Sequence, residues 1–324
     1  MHYAEELEIN RVCSLLRKKL YGAVRRRLAG CMLLSGGVDT SVIAAVSSVL
    51  TQLTGVTVAI PPAHDLPYAE KVAERFNIEH VVVRPSEREL YEAVEEVIPV
   101  VRSFDPMEVH GGVAAYIALK QAREMGFRGV MTGDGGDELF AGYTFYYNLS
   151  PERLKKALEK TWQVMRFSST VIGDSLGVEV LLPFLDDEFS QFAKGLDVGL
   201  KVRREGEKVW GKWILRKAYE YVIPYDVIWR DKLHIGAGSG VEEALRRIAD
   251  KIPEHKYSLA AGKYYEQDGV RLRSREHLLY YEVFRRKLGP PRELGEAEER
   301  CPDCGAPLTG GEKRFCPTCG WLHA

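Results

Sequence analysis

The sequence predicts an α/β fold: an open parallel sheet with helices on both faces, then a mainly helical half, then a small cysteine-bearing unit. Three observations predict it. Strand-like and helix-like segments alternate from Cys31 to Thr132, helical periodicity dominates from about 150 to 288, and four of the six cysteines fall in the last 24 residues.

Each element follows from its local pattern. Residues 5–28 form a basic amphipathic helix carrying Leu7, Val12, Leu15, Leu16, Leu20, Val24 and Leu28 on one stripe. Its Arg25-Arg26-Arg27 run reads as a solvated face. Cys31 to Leu34 is a short apolar strand that ends in Ser35-Gly36-Gly37, and helical residues follow to about Leu50. Val56 to Ile60 is a second buried strand, Tyr68 to Phe76 a helix, and His80 to Val83 a third strand. Helices at 87–97 and 112–125 lead to a fourth strand, Gly129 to Thr132, which ends in Gly133-Asp134-Gly135-Gly136-Asp137. Strands that alternate with helices imply parallel pairing. Beyond them the helical stretches are 151–166, 185–194, 207–222, 241–250 and 274–287, with Pro183 and Pro224 as punctuation. Residues 289–300, opening with Gly289-Pro290-Pro291, read as a linker.

Composition narrows the class of function. With 324 residues the chain has room for about two domains. Apolar residues make up 45% and charged residues 28%, and 45 basic against 46 acidic side chains leave a net charge of -1. That balance exerts no general pull on nucleic acid or an anionic membrane, although a local patch still could. No apolar run approaches the ~20 residues of a membrane span; the best, Val42 to Leu50, is broken by two serines. The start, Met1-His2-Tyr3-Ala4-Glu5-Glu6, lacks the basic and apolar segments of a signal peptide, so a cytoplasmic location is expected. Three Asn and five Gln in the whole chain are few, as in proteins from hot habitats.

The terminal cysteines form Cys301-Pro302-Asp303-Cys304 and Cys316-Pro317-Thr318-Cys319, each pair followed by a glycine. Two such pairs match the knuckles of a zinc ribbon, in which four thiolates fill a tetrahedral Zn²⁺ site. Two disulfides are the alternative, one that a reducing compartment disfavours. Such a ribbon could bind RNA, dock a partner or lock the terminus, and the last two are the expectation here. Cys31, opening an apolar strand, reads as a small core residue.

In an open parallel sheet, ligands bind outside the carboxyl ends of strands, where helix N-termini offer free N–H groups to anions. Two loops hold such positions. In Ser35-Gly36-Gly37-Val38-Asp39-Thr40-Ser41 the glycines let backbone approach a phosphate, and three hydroxyls can donate to it. The loop lacks the lysine and spacing of G-x-x-x-x-G-K-[ST]. Taken alone it is equally a plain tight turn. The second loop, Thr132-Gly133-Asp134-Gly135-Gly136-Asp137-Glu138, crowds carboxylates beside glycines. Crowded carboxylates resist ionisation without a cation, which suggests Mg²⁺ with phosphate ligands; a Gly/Asp-rich surface turn is the plainer alternative.

Together the two loops resemble the synthetase domain of asparagine synthetases, members of the PP-loop ATP pyrophosphatases (the adenine nucleotide alpha hydrolase-like fold). The likeness runs from Cys31 to Phe284 and takes in Asp65-Leu66, Gly177-Val178-Glu179, Pro183-Phe184-Leu185-Asp186, Lys212-Trp213-Ile214-Leu215-Arg216 and Trp229-Arg230-Asp231-Lys232. It implies a synthetase-like domain over 1–288, with a nucleotide-binding part at about 30–148 and a helical part at about 149–288, followed by the linker and a ribbon at 301–324.

The resemblance also implies an AMP-forming carbon–nitrogen ligase. A small carboxylate becomes an acyl-adenylate with release of pyrophosphate, and ammonia or another amine then releases AMP. ATP and pyrophosphate would lie against Leu34, Ser35, Gly36, Gly37, Asp39, Thr40, Ser41, Val58, Thr132 and Gly133, with Asp39 and Asp137 on Mg²⁺. Lys212 and Lys232 would neutralise pyrophosphate, and Asp134, where many members carry Glu, would handle a proton. Read without the resemblance, both lysines are a solvated helix face and a turn.

Three departures bear on the substrate. Met1-His2 leads almost directly into synthetase-like sequence, so ammonia is expected from solvent or a separate amidotransferase subunit. Leu181 and His110 stand where the family commonly has arginines that grip the acceptor, which favours another carboxylate or a peptide. A zinc-ribbon PP-loop enzyme that modifies tRNA, and a nucleotide-sensing binding protein, are further alternatives.

Overall fold

The computed structural model describes residues 2–308 and 315–322, so parts of the ribbon assigned to 301–324 lie outside the described residues. Five parallel strands form the central sheet in the order β3-β2-β1-β4-β5, made of β1 Cys31–Leu33, β2 Thr54–Val58, β3 Glu79–Val83, β4 Gly129–Met131 and β5 Glu179–Leu181. The register follows from Met32 opposite both Gly55 and Met131.

Alternation along the strands divides the core into two layers, because successive side chains leave opposite faces of a strand. Cys31, Leu33, Val56, Val58 and Val130 point into one layer, and Met32, Leu34 and Met131 into the other. Helices α1 (His2–Arg26), α2 (Val38–Ser47), α3 (Leu66–Arg75), α9 (Asp187–Gly195), α11 (Trp213–Tyr219) and α12 (Tyr225–Ile228) fill the Met32 layer. The Cys31 layer is filled by α4 (Glu87–Val101), α5 (Pro106–Glu124), α8 (Ser168–Leu176), α14 (Val241–Asp250) and α16 (Arg275–Leu288). A parallel sheet covered on both faces needs apolar residues on both sides, which explains the continuous burial of the central strands β1 and β2, while the edge strands β3 and β5 are only partly covered.

The remaining elements flank or complete these layers. Helix α6 (Gly136–Phe140) carries the acidic loop, α7 (Pro151–Val164) and α10 (Val198–Lys201) pack around Tyr146, and α13 (Ile235–Ser239) abuts α5. Helix α15 (Glu254–Asp268) packs on α16. An antiparallel hairpin, β6 Arg203–Glu205 and β7 Lys208–Trp210, stands apart from the main sheet.

Several boundaries differ from the sequence expectation. The first helix stops at Arg26, two residues short. The stretch 207–222 opens as the β6–β7 hairpin because Gly206 adopts φ +61° and supplies a tight turn. Helix α5 starts at Pro106 rather than 112, set by the Asp105 cap (Met107 N–H to Oδ1, 3.2 Å) and proline in the first turn. Strand β5 and helix α15 lie outside the sequence expectation: charged Glu179 opens β5 and breaks its apolar run, and α15 has almost no buried stripe.

Long-range polar contacts tie the layers together. Arg26 donates two hydrogen bonds to Asp186, at 2.8 and 2.6 Å, which fastens α1 to the turn before α9. This guanidinium holds the Asp186 carboxyl below the ordinary carboxylate range. The Arg25–Arg27 run therefore presents one structural arginine rather than a uniformly solvated face.

Phe104, fully buried between α4 and α5, packs its ring 5.0 Å from His277, 5.1 Å from Tyr281 and 5.0 Å from Phe284. Truncating such an aromatic leaves a cavity, so Phe104→Ala should lower stability by about 3–5 kcal/mol in urea denaturation. A loss below about 1 kcal/mol, the range of mild surface changes, would show that this joint is not part of the core.

Candidate active site

Sheet order reverses between β1 and β4, and the crevice beyond their carboxyl ends opens into a cavity of about 390 Å³. Both loops singled out in the sequence border it. After β1, Ser35 and Thr40 close the first loop on itself: the two hydroxyls lie 3.1 Å apart and Ser35 N–H points at Thr40 Oγ1 (3.3 Å). Gly36 has φ +66°, and a Cβ there would stand 2.3 Å from the Ala69 nitrogen, so α3 can approach only glycine. Helix α2 begins at Val38, with Gly37 as its N-cap.

Of the residues named from sequence, Leu34, Ser35, Gly37, Asp39, Thr40, Val58, Thr132, Gly133, Asp134, Asp137, Lys212 and Lys232 all border the cavity. Gly36 sits outside the lining, pressed on α3. Ser41 is fully buried beneath the loop with its hydroxyl unpartnered, and it does not reach the cavity.

At the centre lies a cluster of opposite charges. Lys212 Nζ stands 2.5 Å from Asp39 Oδ2 and 2.8 Å from Asp137 Oδ1, and Lys232 Nζ donates to Asp137 Oδ2 at 2.9 Å. The Lys212 side chain is 5% exposed, so the solvated helix face is excluded. It caps α11 from a left-handed conformation, φ +56°, with its N–H bonded to the Phe140 carbonyl (2.9 Å). Burial opposes ionisation of Asp137, yet Lys212 and Lys232 outweigh it and hold this carboxyl below the ordinary range. Burial prevails at Asp39, whose carboxyl is raised despite Lys212.

Glycines give these groups their room. A Cβ on Gly136 would fall 2.3 Å from Asp39 Oδ1, and one on Gly142 would fall 1.9 Å from Asp137 Oδ1 and 2.2 Å from Lys212 Cε. Asp39 Oδ1 has no hydrogen-bond partner. Two facing carboxylates, one with a bare buried oxygen, are the donor set that a hard divalent cation accepts.

Asp134 receives hydrogen bonds from Thr132 Oγ1 (2.8 Å) and Ser169 Oγ (2.5 Å), and burial raises its carboxyl above the usual range. Tyr143 Oη donates to Glu138 Oε1 at 2.5 Å, on a carboxyl also raised by burial.

Three supporting groups escaped the sequence reading. Arg216, 3% exposed, donates to the carbonyls of Gly211 (3.0 Å), Ile228 (2.6 Å) and Arg230 (3.0 Å), bracing both lysine-bearing segments. Arg230 pairs with buried Asp65, donates to the Gly36 carbonyl (3.2 Å) and lies over the Tyr68 ring. Ser169 holds Asp134 from α8. The partners are far apart in the chain, and only the motif strings containing Arg216, Arg230 and Asp65 hinted at them.

His110, which stands where the family commonly has an arginine, is buried and outside the cavity lining, with Nε2 2.8 Å from Glu276 Oε1. Glu276 supplies the buried partner its polar ring requires. Leu181 lies on β5 and likewise does not border the cavity.

In the ribbon, Cys301 and Cys319 Sγ are 3.6 Å apart, Cys304 and Cys316 Sγ 3.8 Å, and all four lie within 4.8 Å of one another. Sulfurs about 2.3 Å from a tetrahedral Zn²⁺ would stand roughly 3.8 Å apart, so the four thiols fit that ion. Gly305 and Gly320, both at φ +73°, turn the two knuckles alike.

The sequence matches the family described as asparagine synthase over residues 15–176 and 171–303. It is 31% identical over 274 residues to the glutamine-hydrolyzing asparagine synthetase of Homo sapiens, covering 77% of this chain and 47% of that protein. Against asparagine synthetase B of Escherichia coli K12 it is 26% identical over 303 residues, 83% of this chain and 52% of the other. Asparagine synthetase 2 of Lotus japonicus is 28% identical over 260 residues, 72% and 44% of the two chains. The chain thus spans about half the length of the curated relatives it matches.

Replacing Arg216 by methionine should strand three buried carbonyls, at about 1–3 kcal/mol for each group left unpaired. Chemical denaturation of Arg216→Met should show a loss of at least about 3 kcal/mol. An unchanged midpoint would mean that Arg216 is not the brace of these segments.

Proposed function

The chain belongs to the asparagine synthase family, and from that membership we propose that the β1–β4 cavity is the active site of an AMP-forming amide ligase. The observation that carries the reading is Lys212 held between Asp39 and Asp137 at the crevice where sheet order reverses. A cation beside two carboxylates is an arrangement suited to polyphosphate with a divalent ion.

One oxygen of the acceptor carboxylate attacks the α-phosphorus of ATP. The bond from that phosphorus to the α–β bridging oxygen breaks, and pyrophosphate leaves with the electron pair. Lys212 and Lys232 neutralise the departing charge, as compact ammonium groups can. The free N–H groups at the start of α2, with Ser35, Gly37 and Thr40, cradle the phosphates. Leu34, Val58, Thr132 and Gly133 lie beside adenosine. Asp39 and Asp137 hold Mg²⁺, which when bound supplies positive charge to the phosphate oxygens. Ammonia or an amine then attacks the acyl carbon, the carbon–oxygen bond to AMP breaks, and a proton leaves nitrogen. Asp134 is the acceptor for that proton: burial makes it more basic, while Thr132 and Ser169 orient it. The four ribbon cysteines hold one Zn²⁺.

A second reading concerns the acceptor. Neither Leu181 nor His110 supplies the guanidinium that the family commonly places there, and an exposed Arg166 stands on the rim of the cavity instead. This favours an acceptor other than free aspartate, either a different small carboxylate or a peptide.

With ATP, Mg²⁺, ammonium and a panel of carboxylates, the products should be AMP and pyrophosphate. Asp39→Asn and Asp137→Asn should each lower turnover by about 10²-fold or more with the fold retained by circular dichroism. Release of ADP and phosphate without AMP would overturn the reaction class, and near-normal turnover of either variant would overturn the metal assignment.

Glutamine should not serve this chain as nitrogen donor. Burial pushes the Cys31 thiol up to about 12 and raises Cys13, neither borders the cavity, and the other four cysteines cluster in the ribbon. No cysteine is therefore poised as the activated thiolate that amide hydrolysis needs. The check is ¹⁵N-amide glutamine without added glutaminase; label in a product amide would reveal an ammonia-generating site in the chain.

A further inference from the structure

We propose that the four-cysteine ribbon is a metal-set clamp on the start of α5, and that through α5 it fixes the acceptor side of the cavity. The acceptor part of this inference rests on the function proposed above; the clamp itself does not.

The second knuckle, Cys316 to Gly320, is wedged between two parts of the synthetase core. On one side is the α4–α5 connection. Ser103, 2% exposed, donates its hydroxyl to the Pro317 carbonyl at 2.6 Å, and the Phe104 N–H donates to the Thr318 carbonyl at 2.7 Å. Gly320 lies so close to Asp105, the N-cap of α5, that a Cβ on it would stand 2.4 Å from the carboxylate. On the other side is the approach to α16: Arg273 donates to the carbonyls of Gly320 (3.2 Å) and Cys319, while Arg271 N–H holds the first knuckle through the Asp303 carbonyl (2.7 Å).

These carbonyls belong to the residues whose path the metal would dictate. Among its described residues the ribbon buries, besides the four cysteines, only Ala306 and Leu308 as apolar side chains, so loss of the metal should release these carbonyls together. The connection would then lose two buried hydrogen bonds and the contact that confines its N-cap.

The consequence reaches the cavity within one turn of helix. Glu108 of α5 borders it and accepts a hydrogen bond from Ser168, the neighbour of the Ser169 that holds Asp134. Met107 and Gly111 border the same wall. The nucleotide groups Asp39, Asp137, Lys212 and Lys232 stand on α2, α6, α11 and the loop before α13, and their side chains bond to one another rather than to the ribbon. A released clamp should therefore weaken acceptor binding and leave ATP binding in place.

The test uses the full chain as purified, its metal measured by elemental analysis, then stripped by chelator and reloaded with Zn²⁺. Hydrogen–deuterium exchange should accelerate over residues 103–111 in the stripped protein and recover on reloading. The KM for the acceptor should rise about tenfold, a modest misplacement of a binding wall, while the Kd for ATP·Mg²⁺ by calorimetry stays within about twofold. Ser103→Ala, which keeps all four cysteines, should raise the same KM about threefold to fivefold, as expected for one lost hydrogen bond, with kcat little changed. Unchanged exchange over 103–111 after metal removal would overturn the clamp. Equal weakening of ATP and acceptor would overturn its one-sidedness. A protein purified without any bound metal would overturn the metal control. Failure of every carboxylate to yield AMP would count against the proposed function and the acceptor effect, while the exchange measurement still decides the clamp.

Discussion

Everything in this fold that faces the cavity depends on keeping Lys212 ionised where water scarcely reaches. A buried ammonium is costly unless opposite charges stand within contact distance, and Asp39 and Asp137 supply them from the ends of two adjacent strands. The demand propagates outward. Gly136 and Gly142 must be glycine to admit the carboxylates, α11 must begin in a left-handed turn, and Arg216 must fasten that turn to the segment that delivers Lys232. The parallel sheet provides what no local motif could: β1 and β4 side by side, so that loops about a hundred residues apart share one floor.

What the sequence made legible were groups that announce themselves locally. Gly36-Gly37 and Gly133 to Gly136 mark close backbone approach, and twelve of the residues named from the two loops, the adenosine-side positions and the two lysines do gather around one cavity. The cysteine spacing gave a four-sulfur cluster. Alternation of strand and helix signals gave a parallel sheet, though β5, opened by charged Glu179, did not register.

What stayed hidden were pairings across long stretches of chain. Asp65 and Arg230 are separated by 165 residues, and nothing in their neighbourhoods says which cation meets which carboxylate. His110 was legible only as a departure from an arginine; that its ring is buried against the Glu276 carboxylate of α16 depends on a partner 166 residues away. Strand β7 falls inside the stretch expected to be helical, because Lys208, Val209 and Trp210 are compatible with either state until the left-handed Gly206 is seen.

The two core layers divide the walls of the cavity between them. Helices α2, α6 and α11, which present Asp39, Asp137 and Lys212, root in the Met32 layer, whereas α5 and α8, which form the opposite wall, root in the Cys31 layer. Substitutions more than about 7–10 Å apart without shared partners act nearly independently on stability. A lineage can therefore rework one wall of the cavity, and with it the shape offered to a ligand, while the charged wall opposite is inherited untouched.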